Sequence, residues 1–150
     1  MSIVLGVYVH VQDGRHRLVW TLIDGNNLID QGSLGAPTTS EAQRLAELEV
    51  RLGDLLTRLA ASATPPAGIA LRVHDVHGPT DESVRVPAHA EGVILAVAGR
   101  LHIKVVPISG QKLGGRQAVA AKVKALQPAP TGDEAAQAAA AAQRAAADFP

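Results

Sequence analysis

The sequence contains few groups that could do chemistry, and its histidines are the first candidates. His74 and His77 are three residues apart, a spacing that would let both bind one metal ion if the segment were helical. They flank the junction between an apolar run and a Gly-Pro segment, and no third ligand is placed by spacing. We therefore expect both to be surface or hydrogen-bonded histidines.

Composition excludes several other classes of site. The 150 residues include no cysteine, which excludes a disulfide scaffold, a thiolate zinc site, an iron–sulfur cluster and a cysteine nucleophile. Aromatic residues are 2% of the chain, too few for a platform that stacks single-stranded nucleic acid. No P-loop, dinucleotide-binding glycine pattern or nucleophile elbow occurs. We therefore expect no cofactor.

Positive charge is unevenly distributed, although the formal net charge is zero. From Gly92 to Gly132 there is no Asp or Glu, and this window holds every lysine of the protein. Its basic residues are Arg100, Lys104, Lys112, Arg116, Lys122 and Lys124. The pattern predicts either a basic face that contacts nucleic-acid phosphates or a solvated helix face balanced by the acids between Glu41 and Asp54.

Alternating apolar residues predict three antiparallel strands at the start of the chain. The strands are placed at 3–11, 16–23 and 28–34. The turns between them contain Gly, Asn and Asp, which are typical of hairpins because they tolerate left-handed backbone.

Helices and strands alternate in the rest of the chain. A leucine stripe from Leu45 to Leu59 predicts the first helix, with Thr38 and Glu41 as a capping box. The remaining predicted elements are a strand at 68–74, an exposed loop at 75–87, a helix from near Pro87 or Ala88 to Leu101, a strand at 102–108, a helix at 116–126 and an alanine-rich helix at 134–147 capped by Asp133.

This order of elements predicts one α/β domain over residues 1–150. Three antiparallel strands followed by two crossover units give a five-stranded mixed sheet with helices on both faces. Neither a signal peptide nor an apolar run of membrane length is found. We therefore expect a soluble, cytoplasmic protein with no membrane partner.

Short phrases of the sequence resemble the ribonuclease H-like superfamily, and within it the RuvC type. Ile3 to Tyr8 resembles the family's first strand, and Pro66 to Arg72 resembles its fourth strand. The further phrases that resemble the family are the small-residue helix from Glu91 to Leu101, the strand and loop from Val105 to Lys112, the basic helix from Gly115 to Leu126 and the last helix from Asp133. The resemblance implies the same α/β fold, a two-metal nuclease centre and contact with DNA.

The acids that such a centre needs are incomplete in this chain. The resemblance implies carboxylates on the first strand, the fourth strand and the last helix, which hold two divalent ions roughly 4 Å apart. The first two positions are occupied by Tyr8 and Arg72, and only Asp133 with Glu134 supplies acids at the third. A phenol and a guanidinium do not replace two carboxylates. We therefore expect a catalytically degenerate centre without a metal.

Two interpretations of Arg72 remain open. It could bind an anion such as phosphate through its two-pronged guanidinium. It could instead form an ion pair with Asp133 or Glu134 in place of the metal bridge, and we favour this second interpretation. Tyr8 lies on the same strand face as His10 and is expected to fill the space that a metal would need.

The function that we favour from the sequence is a nucleic-acid-binding or assembly module without catalysis, with DNA or branched nucleic acid as its partner. Lys112 and Arg116 are the closest matches to the DNA-contacting positions that the resemblance implies. Lys104, Lys122 and Lys124 extend the same basic region.

Two other functions remain open. One is a protein–protein scaffold that binds no nucleic acid, and the resemblance also implies that a homodimer can form. The other is a metal-dependent nuclease whose acids have relocated, for example to Asp75, Asp133 and Glu134. That nuclease requires two carboxylates close together on one face of the sheet.

Overall fold

The computed structural model describes residues 2–36, 40–74 and 82–150, with the side chains of 82–84 excepted. Its strands are β1 (Ile3–Gln12), β2 (Arg15–Asp24), β3 (Asn27–Gly35), β4 (Gly68–Val73) and β5 (Val105–Ser109). Its helices are α1 (Glu41–Ala60), α2 (Glu82–Arg100), α3 (Gly110–Leu113), α4 (Arg116–Val123) and α5 (Asp133–Ala145), and a 3-10 turn covers Ala146–Asp148.

The five strands form one mixed sheet in the order β3-β2-β1-β4-β5. β1, β2 and β3 pair antiparallel as a meander, and β4 and β5 extend the sheet in parallel with β1. The predicted α/β class and the five-stranded mixed sheet are confirmed. The reason is that alternation in the first 35 residues and crossover helices in the rest leave few other topologies.

The sheet has a buried core on each face. Leu5, Val7 and Val9 of β1 point toward α1 and α2, whereas Val4 points toward α4 and α5. Because successive residues of a strand alternate between faces, Tyr8 lies on the α5 side with Val4.

Helix α5 lies directly against β1. A Cβ atom added at Gly6 would come within 2.0 Å of the carbonyl oxygen of Ala138, so only glycine permits this approach. Seven alanines of α5 are buried, and the helix packs against β1, β2 and β4. The small side chains set how close the start of α5 lies to Tyr8 and His10.

Two predicted boundaries at the start of helices were wrong. Helix α2 begins at Glu82, so residues 82–87 are helical and do not belong to an exposed loop. Pro87 lies inside the helix, where it removes one backbone hydrogen bond but is itself buried. Helix α1 is capped by Ser40, whose side chain accepts a hydrogen bond from the Gln43 amide at 3.5 Å. Thr38 and residues 75–81 lie outside the described residues.

The boundaries around β5 also differ from the prediction. His102 has a left-handed backbone with φ 56°, which ends α2 and prevents a strand from starting there, so β5 begins at Val105. The short helix α3 follows β5 directly, and α4 ends at Val123. Among the described residues, none of the helices is long and apolar enough to cross a bilayer.

Candidate functional site

Tyr8 and Arg72 are neighbours at the centre of the sheet. They are Cα partners in the parallel pairing of β1 with β4. The guanidinium carbon of Arg72 lies 5.7 Å from the centre of the Tyr8 ring, within the range of a cation–π contact. Both side chains project toward α5, because Val4 of β1 and Ala70 of β4 belong to the core on that face.

Arg72 is held by neutral oxygen atoms. Its Nε donates to Oε1 of Gln137 on α5 at 3.1 Å, and its Nη1 donates to the carbonyl oxygen of Val73 at 2.5 Å. The guanidinium rests against Gly110, where an added Cβ would lie 2.5 Å from Nη2. Gly110 therefore leaves the space that the guanidinium occupies.

The ion pair predicted between Arg72 and Asp133 or Glu134 is wrong. α5 runs antiparallel to β1, so Ala138 lies over Gly6 and Glu134 lies beside His10. This register brings Gln137, one helical turn after the acids, to Arg72. Among the described residues, Arg72 forms no ion pair with a carboxylate.

The two acids at the start of α5 have other partners. Asp133 pairs with Arg116 of α4, and both side chains are largely exposed, so the pair adds little stability. Oε1 of Glu134 lies 3.5 Å from Nε2 of His10. The resemblance-based set of Tyr8, Arg72, Asp133 and Glu134 thus splits into a central Tyr8–Arg72 pair and a separate acidic end of α5.

His74 joins the site from the end of β4. Its ring stacks on Tyr8 with the ring centres 5.2 Å apart and the planes at 16°. Its Nδ1 lies 2.7 Å from Oε2 of Glu91 on α2, and its backbone amide donates to the same oxygen at 3.2 Å. His74 is thus a hydrogen-bonded histidine, as predicted, whereas His77 lies outside the described residues.

Burial raises the pKa of Tyr8, and the carboxylates of Glu134 and Glu91 raise it further, while the charge of Arg72 opposes them. The phenol is therefore neutral at physiological pH. A neutral phenol between an imidazole and a guanidinium can stack and hydrogen-bond, but it is a poor ligand for a divalent cation.

The donor set does not fit the two-metal centre that the resemblance implies. Among the described residues, no group of three or more His, Asp or Glu side chains is placed to hold a metal ion. Asp75, named above as a relocated acid, lies outside the described residues. The other two, Asp133 and Glu134, face Arg116 and His10.

The predicted basic residues divide into two groups. Lys112 on α3 and Lys124 after α4 are exposed and, within the described part of the chain, make no ion pair or hydrogen bond. Lys122 donates to the carbonyl oxygen of Leu113 at 2.8 Å, and Arg116 is paired with Asp133. Lys112 thus lies on α3, Arg116 and Lys122 lie on α4, and Lys124 directly follows α4.

Lys104 lies apart from the four basic residues of α3 and α4, although the sequence predicted one basic region. It precedes β5, whereas Lys112 follows β5, so the strand separates the two lysines. Its Nζ donates to the carbonyl oxygen of Asp148 at 2.8 Å and lies 5.3 Å from the ring centre of Phe149. Lys104 thus anchors the end of the chain.

Two exposed arginines were missed by the sequence reasoning. Arg15 and Arg17 lie on one face of β2, opposite Gln12 and His10 of β1. The sequence did contain a signal for their exposure, because residues that alternate along a strand point to opposite faces. His16, between the two arginines, is only 3% exposed. Both arginines lie outside the acid-free window between Gly92 and Gly132, on which the predicted basic region was based.

No protein-family model matches this sequence. No curated protein matches it either. Two solved structures resemble the chain over nearly its whole length. RuvC of Thermus thermophilus has 18% sequence identity and a TM-score of 0.73, covering 96% of this chain and 93% of that one. The same organism's RuvC in complex with a Holliday junction substrate has 17% identity and a TM-score of 0.72, covering 97% of this chain and 93% of the other. The chain therefore has the ribonuclease H-like fold in the arrangement of RuvC.

Proposed function

We propose that this protein is a catalytically degenerate RuvC-like domain that binds nucleic acid, branched DNA in particular, without cleaving it. The observation that carries the proposal is the Tyr8–Arg72 pair. These two side chains occupy adjacent positions of β1 and β4, at which the RuvC resemblance implies carboxylates. The guanidinium lies against Tyr8, Gln137 and Gly110, which fills the space between the strands and α5 with a cation.

Loss of catalysis follows from the charge of this centre. A two-metal hydrolysis needs carboxylate oxygens that hold two cations roughly 4 Å apart. Arg72 places a fixed positive charge beside Tyr8, and that charge repels a divalent cation. A resident metal is therefore not part of the proposal.

Binding of nucleic acid is supported by the exposed lysines on the same side of the sheet. Lys112 and Lys124 are not engaged by carboxylates of the described residues, so both can reach phosphates. A few such contacts give weak, salt-sensitive binding that does not depend on sequence. A RuvC of this fold has been seen with a Holliday junction, which makes a four-way junction the first ligand to test.

The test is a fluorescence-anisotropy titration with four-way, duplex and single-stranded DNA at about 50 and about 200 mM salt. We expect the wild type to bind the junction and to lose affinity at the higher salt. Lys112→Gln with Lys124→Gln should lower the slope of log affinity against log salt by about 1 for each lost phosphate contact.

The matched control is Arg58→Gln with Arg144→Gln. Both arginines are exposed, both lie at the ends of other helices, and the double substitution removes the same charge. Its affinity and salt slope should equal those of the wild type. If the wild type does not bind DNA at low salt, the nucleic-acid function is wrong.

A protein-binding scaffold is the second candidate, favoured by two exposed apolar side chains. Val50 on α1 is 63% exposed and Leu95 on α2 is 50% exposed, and these two helices pack against each other. Light scattering at increasing protein concentration tests whether a homodimer forms through this face. Val50→Ser with Leu95→Ser should abolish any dimer, and a dimer that persists would place the contact elsewhere.

A further inference from the structure

The sheet extends past the first residues of α5, and two arginines lie on the part of the sheet that the helix does not cover. α5 starts beside His10, since Glu134 lies 3.5 Å from that histidine. β1 continues to Gln12 and turns into β2 at Arg15. The α5-side face of this hairpin end therefore projects past the helix that covers the rest of β1.

Arg15 and Arg17 point to the same side of that end. They are partners of Gln12 and His10 in the antiparallel pairing. Two residues along a strand span about 7 Å, so the guanidiniums form a short row. Both side chains are exposed, and neither makes an ion pair or hydrogen bond with another described residue.

The surface between these side chains is concave. One groove of about 620 Å³ includes His10, Gln12, Arg15 and Arg17 among its lining residues. The other side of this groove is formed by Gly35 at the end of β3, where an added Cβ would reach only the Arg17 side chain, at 4.0 Å. The absence of a side chain at Gly35 keeps the approach to Arg17 open.

Arg17 also lines a second groove of about 320 Å³. This groove reaches Thr131 and Glu134 at the start of α5. Asp133, the neighbour of Glu134, contacts Arg116 of α4. The arginine row is thus connected, along the surface, to α4, which carries Arg116 and Lys122.

The local charge favours an anionic ligand. Each groove has one carboxylate among its lining residues, Asp13 in the first and Glu134 in the second. Glu134 already lies beside His10. The two guanidiniums have no carboxylate fixed against them among the described residues. Guanidiniums bind phosphate oxygens through two parallel hydrogen bonds, and a row of them suits a repeating phosphate backbone better than a single anion.

We infer that the arginine row, Arg15 and Arg17 with the two grooves that meet at Arg17, is a second phosphate-binding surface for nucleic acid. It rests on the proposed function and extends it, because it assigns contacts to the β1–β2 hairpin that lie outside the basic region of α3 and α4. Phosphate contacts of this kind position the nucleic acid and carry no base specificity.

The test compares three double variants in the anisotropy titration with a four-way junction. Arg15→Gln with Arg17→Gln should weaken binding about tenfold at low salt and lower the salt slope by about 2. Arg15→Lys with Arg17→Lys keeps the charge, so its salt slope should stay near the wild-type value. Arg58→Gln with Arg144→Gln removes the same charge from elsewhere and should behave as the wild type. Circular dichroism and thermal melting check that each variant is folded, and Arg17→Gln alone replaces the double variant if that one is unfolded.

The outcomes separate this inference from the function on which it rests. If the wild type binds and the Lys112/Lys124 variant weakens binding, but loss of both arginines changes nothing, the arginine row is wrong and the proposed function stands. If the wild type fails to bind DNA, both are wrong. If the arginine and control variants weaken binding equally, the effect comes from net charge and the inference is overturned.

Discussion

Arg72 lies beside Tyr8 across the parallel pairing of β4 with β1, and its Nε donates to Gln137 on α5 at 3.1 Å. This relationship links the two central strands to the helix that covers them. A cation thereby fills the position in which the RuvC resemblance implies metal-binding acids. Packing, a cation–π contact and hydrogen bonds hold this centre together.

Replacing the guanidinium should destabilise the protein measurably. Arg72→Met keeps a long apolar chain but loses the hydrogen bond to Gln137 and the contact with Tyr8. We expect the free energy of unfolding in urea to fall by about 1–2 kcal/mol. Arg58→Met on the exposed end of α1 is the control and should change it by less than about 0.5 kcal/mol. An unchanged unfolding midpoint for Arg72→Met would show that the contacts of Arg72 do not hold the centre together.

Restoring acids at both central positions should restore affinity for a divalent ion. In Tyr8→Asp with Arg72→Glu, we expect Mn²⁺ to raise the Tm, because a ligand that binds only the folded state stabilises it. Tyr8→Asn with Arg72→Gln has similar shape without the charge and should show no such rise, and neither should the wild type. If the acidic variant gains nothing over the amide variant, these two positions are not those of a former metal centre.

The close approach of α5 to β1 should make Gly6 intolerant of any side chain. In Gly6→Ala the new Cβ would meet the backbone of Ala138 at 2.0 Å, and backbone cannot move aside cheaply. We expect a loss of at least about 1–3 kcal/mol in the free energy of unfolding. Gly53→Ala is the matched control, since nothing lies within 4 Å of its added Cβ inside α1, and it should raise stability by about 0.5–1 kcal/mol. A mild effect at Gly6 would mean that α5 sits farther from β1.

His16 should make the protein less stable at mildly acidic pH. Burial lowers the pKa of His16, and the charge of Arg44 lowers it further. The folded state therefore binds a proton less readily than the unfolded chain, whose histidine pKa is about 6.5. The contribution of neutral His16 is complete above that value and is lost as the pH falls toward the lower folded pKa.

The measurement for His16 is the difference in unfolding free energy between the wild type and His16→Leu, taken by urea titration at several pH values. We expect this difference to shift against the wild type as the pH decreases from neutral toward 5, where the unfolded histidine is protonated. A difference that stays constant with pH would mean that His16 titrates alike in the folded and unfolded states.

Much of the fold could be predicted from the sequence because local patterns and topology agree. The alternation in β1 and β2 and the leucine stripe of α1 each specify one kind of element. The errors lay where local signals conflict. Pro87 is a typical first residue of a helix, yet here it lies inside α2. His102 has the left-handed backbone that delays the start of β5. This conformation was not predicted, because histidine adopts it far less often than glycine does.

The site was predictable only in part, because its contacts depend on the register of α5 against β1. The resemblance of the sequence to RuvC predicts that Tyr8 and Arg72 stand in place of acids and that Asp133 and Glu134 are the acids that remain. It does not show that Gly6 and the alanines bring Gln137, rather than an acid, to Arg72. Nor does it show that β5 separates Lys104 from Lys112.

Binding of a four-way junction without cleavage can be tested in a single assay. A labelled four-way junction is incubated with the protein in Mg²⁺ and, separately, in Mn²⁺, and the products are separated on native and denaturing gels. We expect a shifted complex on the native gel, in the same amount when EDTA replaces the metal ion, and intact strands on the denaturing gel. Strands cut in either metal and left intact in EDTA would contradict this expectation, because Tyr8 and Arg72 would then belong to a working nuclease.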